Sequence, residues 1–359
     1  MKQLLLAAAV GAALAAPAAA RDLLVTIAKP GNLYVFDAAK RELLKDCPLN
    51  VEMSPAVIQM SPDGKVAYAL VNRWQDVIGV NIETCERVFY AKQSDDGVMR
   101  RSIGSLAVSA DGAEVYSIRN PVRHLVDRYE VMEPEFAVFD AKAGTEATPV
   151  RTFPAPRRSS VMAAGANGEV YIGGHDIYAF DPKTGAISVK IANRSWDRPT
   201  YGGPDVLAFW PVGTQNDEFL LMYSAPVFTD ANQTELADFV WGYSSVNLKT
   251  GATEIADFAS FEKIMFSGVR NPHAQNELYG VYTQLSKHDL ATKELVKRVE
   301  LPHTYYVINI SSDGKEVYLA GTNDDIGVYS TDTLEKIGEM KIPSGGDMGT
   351  ATLQVVQVE

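Results

Sequence analysis

Phe136-Ala137-Val138-Phe139-Asp140 is an apolar run closed by an acidic residue, and the chain repeats it. Earlier copies are Leu33-Tyr34-Val35-Phe36-Asp37 and Ile78-Gly79-Val80-Asn81, and a later one is Ile177-Tyr178-Ala179-Phe180-Asp181. Three more end at Asn247, Asp289 and Ser330, which makes seven anchors. The turns that follow, such as Pro182-Lys183-Thr184-Gly185 and Leu248-Lys249-Thr250-Gly251, carry hairpin chemistry. Successive anchors stand 44, 59, 41, 66, 42 and 41 residues apart. Four of these spacings match one four-stranded propeller blade; the other two exceed it by roughly 15 and 25 residues, as blades with insertions do.

A second motif interleaves with the first. It reads Ser61-Pro62-Asp63-Gly64-Lys65-Val66-Ala67-Tyr68, then Ser109-Ala110-Asp111-Gly112-Ala113-Glu114-Val115-Tyr116. Asn167-Gly168-Glu169-Val170-Tyr171 and Ser312-Asp313-Gly314-Lys315-Glu316-Val317-Tyr318 follow, with degraded copies near Asn216-Asp217 and Asn276-Glu277. Each is a tight turn whose glycine accepts positive φ, followed by a β-branched or aromatic strand. Every blade therefore has strands A and B joined at this turn, and strands C and D joined after the anchor. The first blade has no such turn before Leu33 and lacks a strand A. Thr352-Leu353-Gln354-Val355-Val356-Gln357-Val358 alternates like a strand and has no hairpin partner after it. The expected fold is an all-β, seven-bladed propeller of four-stranded blades, closed by pairing this C-terminal strand into the first blade, which removes two open edges.

Strand direction then sorts the loops. A–B and C–D turns lie on one face; B–C loops and D–A crossings lie on the other, and both insertions fall there. One is the B–C loop Asn120 to Glu135, with His124, Arg128, Tyr129 and Met132. The other is shared between the D–A crossing Asn193 to Asp205 and the B–C loop Val227 to Gly242. Long loops on a rigid scaffold are where function usually sits. The crossing Arg194-Ser195-Trp196-Asp197-Arg198-Pro199-Thr200-Tyr201 is dense in aromatic and Arg residues, the usual interface anchors. Its plain alternative is that Trp196 and Tyr201 fill the space between blades. Trp210, in Phe209-Trp210-Pro211, reads as core on an inner strand. Pocket or interface candidates are thus Tyr129, Trp196 and Tyr201, with Tyr305 and Tyr306 weaker because alternation along a strand sends one of them into the blade packing.

Lys and Arg number 33 against 45 Asp and Glu among 359 residues, a formal net charge of −12. An acidic chain is a poor match for nucleic acid or an anionic membrane. Residues 1–20 read as a secretory signal peptide: Lys2, an apolar Leu4 to Ala16, and Ala18-Ala19-Ala20 before Arg21-Asp22. The stretch is too short and Ala-rich for a membrane span, and no later segment is apolar for long enough to cross a bilayer. The expected product is a periplasmic protein cleaved after about Ala20, its residues 21–359 forming a single propeller domain. For the two cysteines, Cys47 and Cys85, two arguments disagree. Export and an even count favour a disulfide. The repeat map puts Cys47 at the exit of strand D in blade one and Cys85 in the C–D turn of blade two, at opposite faces, whereas a bridge needs Cα atoms within about 7 Å.

Enzyme signatures are absent: no Gly-x-Ser-x-Gly, no His-Glu-x-x-His, no phosphate loop, no dinucleotide fingerprint. Neither cysteine belongs to a Cys-x-x-Cys-His motif, so the chain attaches no c-type haem. The five histidines, at 124, 175, 273, 288 and 303, have no metal-ligand spacing. His288 beside the anchor Asp289 reads as structural, and His303 on the D–A face as a satisfied polar contact more often than a catalyst. No catalytic, cofactor-binding or metal residue is assigned to this chain.

Five elements carry a resemblance to a known family. Asn32-Leu33-Tyr34-Val35-Phe36-Asp37, Val150-Arg151-Thr152-Phe153-Pro154, Pro204-Asp205-Val206-Leu207-Ala208-Phe209-Trp210-Pro211, His303-Thr304-Tyr305-Tyr306 and Thr331-Asp332-Thr333-Leu334-Glu335-Lys336 look like the β subunit of bacterial quinohemoprotein amine dehydrogenase, in the family's order and from about Leu23 to the C-terminus. The resemblance implies a seven-bladed propeller in a periplasmic heterotrimer. Its partners there are a dihaem cytochrome c α subunit and a small γ subunit carrying cysteine tryptophylquinone. That complex oxidatively deaminates primary amines and passes electrons through two haems c to a soluble periplasmic acceptor. The propeller carries no cofactor; it packs over γ and helps wall the substrate pocket. Two other readings stand beside it: the heavy subunit of a methylamine dehydrogenase-like complex, and a stand-alone periplasmic propeller that binds a partner.

Overall fold

Each of the seven anchors holds the turn after it with its own side chain. The Oδ1 atoms of Asp37, Asn81, Asp140, Asp181, Asn247 and Asp289 accept backbone N–H bonds two or three residues on, at 2.8–3.0 Å. The Ser330 hydroxyl does the same for Asp332 N at 3.2 Å. These are Asx-type turns, which explains why a short polar side chain recurs where each apolar run stops. The A–B turns are built as regularly. Ser61, Ser109 and Ser311 each donate to the Asp two residues on, at 2.6, 2.6 and 2.7 Å. Each of these hydroxyls also accepts from the backbone N–H of Val66, Glu114 or Glu316, opening strand B. Gly64, Gly112 and Gly314 close these turns at φ of +69°, +71° and +72°, where a side chain would be strained.

The structure, a computed structural model, describes residues 21–52, 57–206, 210 and 213–358; the expected signal peptide lies outside them. Seven antiparallel sheets stand in a ring. From inner to outer strand, blade one is Gln354–Val358, Arg21–Ala28, Asn32–Asp37 and Glu42–Pro48. Blade two is Ile58–Met60, Val66–Val71, Asp76–Asn81 and Arg87–Lys92; blade four is Val161–Ala164, Val170–Gly173, Ile177–Phe180 and Ile187–Ile191. Blade six is Ser267–Arg270, Glu277–Val281, Gln284–Asp289 and Glu294–Glu300; blade seven is Val307–Ile310, Glu316–Ala320, Asp325–Ser330 and Lys336–Lys341.

Blades three and five carry the insertions; their B–C parts are strand rather than loop, whereas the crossing over residues 192–204 stays irregular apart from one bridge at Tyr201. In blade three, strand B runs from Glu114 to His124 and beyond the blade pairs Tyr129–Val131 on one side and Val98–Arg101 on the other. Its remaining strands are Leu106–Val108, Glu135–Asp140 and Arg151–Pro154. In blade five, Glu218–Phe228 and Leu236–Asn247 form a long hairpin between Asp205–Val206 and Thr253–Ser260. Extending a hairpin satisfies the backbone groups that a loop of this length would leave to water. Trp210 is buried, 7% exposed, as its sequence context implies. It sits in a bend rather than a strand, its Nε1 donating to the Thr350 carbonyl at 3.0 Å; Leu207, Ala208 and Phe209 lie outside the described residues.

Blade-to-blade packing buries one tyrosine of strand B repeatedly, and the strand supplies its partner. Two residues apart on a strand share a face. Tyr116, Tyr171, Tyr279 and Tyr318 accordingly donate their hydroxyls to Glu114, Glu169, Glu277 and Glu316 at 2.9, 3.0, 2.6 and 3.1 Å. Three of those carboxylates also meet a cation: Arg151 on Glu114, Lys287 on Glu277, and Arg41 of blade one on Glu316 of blade seven.

Cys47 and Cys85 are joined as a disulfide, with Cα atoms 5.2 Å apart, so the opposite-face expectation is corrected. It treated each blade as a flat ladder. Adjacent strands rotate by roughly 20–25°, so an outermost strand lies some 60–75° from the innermost one and its end leans toward the next blade. Removing the bridge by Cys47→Ser and Cys85→Ser releases a loop spanning 38 residues in the unfolded chain; the expected loss is about 4 kcal/mol, read as a lower denaturant midpoint that reductant no longer changes. Deleting residues 352–359 strips blade one of its inner strand and bares two sheet edges. The expected outcome is a lower melting temperature with concentration-dependent association; a monomer melting with the parent would refute this closure.

Candidate functional site

The crossing from blade four to blade five runs back against the long hairpin of blade five. Phe228 N donates to the Thr200 carbonyl at 2.7 Å, Gly202 N to Pro226 at 3.0 Å, and Tyr201 bridges Val227. This places Arg198 over blade five, where its guanidinium grips Asp257 with both terminal nitrogens, at 3.0 and 2.5 Å. The same carboxylate accepts the hydroxyls of Tyr201 and Tyr223, each at 2.6 Å, and Arg198 also donates to the Tyr223 oxygen at 3.1 Å. Around this pair stand the rings. The guanidinium carbon lies 3.5 Å from the Tyr201 ring centre and 4.8 Å from that of Trp196. Trp196 meets Tyr201 and Tyr223 edge-on at 5.8 and 5.2 Å. Gly242 makes room: a Cβ there would stand 2.1 Å from the Tyr223 ring.

Electrostatics follow from this crowding. Burial pushes the Asp257 carboxyl upward, but the bonds from Arg198, Tyr201 and Tyr223 outweigh it and hold the group below the usual carboxylate range. Burial, reinforced by the neighbouring carboxylate, pushes the Tyr201 and Tyr223 hydroxyls up. Burial alone would lower Arg198, and Asp257 more than reverses it. The cluster is therefore a fixed zwitterion with no group poised to exchange a proton near neutrality. Trp196, Arg198 and Tyr201 remain half-exposed along the insertion face. Chemically the arrangement offers a rigid aromatic and cationic wall, suited to contact rather than proton transfer.

The other candidates lie apart from this cluster. Tyr129, 71% exposed, stands on the blade-three hairpin with Val126 at 109% and Val131 at 67%. Its ring contact is the His124 edge at 4.8 Å. Tyr305 is fully buried and donates its hydroxyl to Asp325, so it belongs to the blade packing. Tyr306 is half-buried, stacked at 15° on Trp210 with ring centres 6.2 Å apart, and it meets Phe266 and Tyr282 at 4.9 and 5.8 Å. The structure thus joins Trp196 and Tyr201 in one site and gives Tyr306 a second aromatic group. Tyr223 and Asp257 escape a sequence reading because they come from strands B and D, far from the crossing, with no local motif.

His303 sits beside a cavity of about 520 Å³ lined by Asp324, Asp325, Glu339, Lys341 and Asp347. Its Nε2 lies 2.8 Å from Asp325 Oδ1 and its Nδ1 2.8 Å from the Thr304 carbonyl. Both ring nitrogens are committed within the fold, which leaves none to serve a substrate. His288 is buried and pushed down to about 4 by desolvation, with the Arg298 charge acting in the same direction. Among the described residues no group of three or more His, Cys, Asp or Glu is placed to hold a metal ion.

The class defined by this geometry is a seven-bladed β-propeller with an elaborated face. No protein-family model matches the sequence, and no curated protein matches it. Solved structures do. Hydrazine synthase of Kuenenia stuttgartiensis shares 15% identity at a TM-score of 0.54, covering 85% of this chain and 90% of that one. The dihydro-haem d1 dehydrogenase NirN, solved in complex with DHE, also shares 15% at 0.54, over 91% of this chain and 75% of its own. Apo AztD from Citrobacter koseri shares 9% at 0.52, over 94% and 98%. At such identities the likeness shows the fold alone.

Asp257 tests the cluster. Its folded-state pKa is depressed, so its contribution to stability is full above the unfolded value of about 3.9 and fades as pH falls through the folded one. Asp257→Asn should cost roughly 2 kcal/mol at neutral pH, the scale of a charged hydrogen-bond partner lost. The gap between variant and parent in chemical denaturation should shrink as pH drops below about 4.

Proposed function

We propose that this chain is the propeller subunit, without a cofactor of its own, of a periplasmic quinohemoprotein-type amine dehydrogenase, and that its insertion face packs on the quinone-bearing small subunit beside the amine site. The observation that carries the reading is the Trp196–Arg198–Tyr201 wall: aromatic and Arg side chains, locked in place by Asp257 and still half-exposed. Pre-locked aromatic anchors lose little freedom on docking, which is what makes them strong contacts. The exposed apolar tip of blade three, with Val126, Tyr129 and Val131, lies on the same face by strand direction and adds a second contact. The five sequence elements that resemble the family supply the identity of the partners: a dihaem cytochrome c and a small subunit carrying cysteine tryptophylquinone. In this reading the rings wall the route to the quinone and exclude water, while the quinone chemistry belongs to the small subunit.

The test is to purify the tagged full chain from its own host. The expected product is a three-polypeptide complex with c-type haem absorbance, a redox-cycling quinone and amine-dependent reduction of an electron acceptor. A lone polypeptide without haem or quinone sinks the reading. Trp196→Ala removes a packed interface aromatic, typically about 2 kcal/mol or more. It should weaken subunit association by roughly 30-fold, or change the preference between short and long amines, with the propeller's own fold retained by circular dichroism. Tyr129→Ala should act in the same direction.

A further inference from the structure

The two kinds of cation in this chain lie on opposite faces. Residues 72–75, 93–105, 119–135, 155–160 and 192–204, all on the insertion face over blades two to five, hold ten of the 16 arginines and no lysine. Seven lysines, Lys65 and Lys183 among them, stand instead in the tight turns of the other face. The arginine segments also hold seven Asp and Glu, which leaves an excess of three positive charges on a chain whose net charge is −12. The division has a physical reason. A lysine ammonium is strongly hydrated and suits a face that stays in water. A guanidinium is planar, more weakly hydrated and able to hold a carboxylate with two parallel bonds, which makes it the cation of interfacial ion pairs.

Eight of these arginines are matched by a carboxylate of the chain itself, as Arg73 is by Glu52 and Arg157 by Glu133, at 2.8 and 2.9 Å. Arg101 and Arg158 are the other two, and among the described residues neither guanidinium has an ion-pair or hydrogen-bond partner. Arg101 is half-buried and Arg158 exposed. They stand on adjacent crossings, which the Ser105 hydroxyl joins by donating to the Ser159 carbonyl at 2.9 Å. Arg158 is held at φ +63°, a left-handed conformation unfavourable for a residue with a side chain, so the fold fixes its place against local preference. A half-buried guanidinium without a counter-charge is uncommon in a folded chain, and a carboxylate arriving from outside supplies one. A continuous polyanion fits less well. The seven acidic side chains among the arginines repel it, whereas single carboxylates can reach the two guanidinium groups left unmatched.

We propose that this part of the insertion face docks an acidic protein surface, whose carboxylates pair with Arg101 and Arg158. The charge of that partner is independent of whether it bears a quinone. Fluorescence anisotropy tests it on the full chain at about 20 mM salt, where screening is weak. The probe is a labelled peptide of four Gly-Glu-Ser repeats, set against its counterpart with Gln for Glu and against a labelled oligodeoxythymidine of equal length. The Glu peptide should bind, more tightly than either control, and should bind less as salt is raised. Arg101→Gln together with Arg158→Asn should weaken it by about tenfold; Asn is chosen because it tolerates left-handed backbone. Lys65→Gln together with Lys183→Gln removes the same charge from the other face and should leave binding unchanged. If the arginine pair folds poorly by circular dichroism, Arg158→Asn alone, at an exposed site, should still weaken binding by about threefold. Failure of the Glu peptide to bind, tighter binding of the oligonucleotide, no loss in the arginine variants, or an equal loss in the lysine pair overturns the proposal. A chain that purifies alone, without haem or quinone, sinks the amine dehydrogenase reading and leaves the peptide result to decide this one.

Discussion

The antiparallel pairing of Gln354–Val358 with Arg21–Val25 is the contact on which the rest of the molecule depends. A propeller blade packs on two neighbours and has no stable isolated form; if the ring stays open, two blades lose one neighbour each and two strand edges face water. The C-terminal segment does more than supply a strand. Thr26 donates to the Thr352 carbonyl at 3.0 Å, Ile58 N to the Thr352 hydroxyl at 2.7 Å, and Asn309 to the Leu353 carbonyl at 2.9 Å. One short segment thus ties blades one, two and seven together. The Arg41–Glu316 ion pair and the Cys47–Cys85 bridge add cross-blade links on either side of blade one. The strongest non-local links gather where the ring closes, the place where chain entropy works hardest against it.

A closed ring of stiff sheets then dictates where variation is tolerated. The tight-turn face is occupied by Asx and Ser-Asp-Gly turns whose hydrogen bonds leave little freedom, whereas the other face grows outward as hairpins in blades three and five. Lengthening a hairpin adds surface without disturbing the inner strands. Arg198 shows how such surface becomes rigid. Its charge is matched by a carboxylate from strand D, and two tyrosine hydroxyls complete the acceptor's demands, so the ring of Trp196 is held rather than free. A half-buried ion pair of this kind contributes shape more than net stability.

Seven anchors, a second turn motif and an unpaired terminal strand made the architecture legible from residue types alone. Each is a local feature: an Asp, Asn or Ser that caps its own turn, a Gly at positive φ, a Glu two residues before a Tyr on one strand face. Local rules of this sort repeat with the blade and survive drift in the residues between them. Trp210 is buried from a bend rather than a strand, and Tyr305 and Tyr306, just before the strand Val307–Ile310, divide between packing and partial exposure.

What only the tertiary structure decided was everything that joins one blade to another. Cys47 and Cys85 come together because sheet twist swings an outer strand toward its neighbour, a rotation that no ladder drawn from the sequence contains. Asp257 meets Arg198 because a crossing folds back over a hairpin. Sequence periodicity therefore determined the blades and their number, since the turns that mark them depend on hydrogen bonds within a few residues, and the strand missing at one end and left over at the other implied a closure that pairs the two ends of the chain. The site and the bridge depend on distances between segments separated by tens of residues, and the packed ring alone sets those.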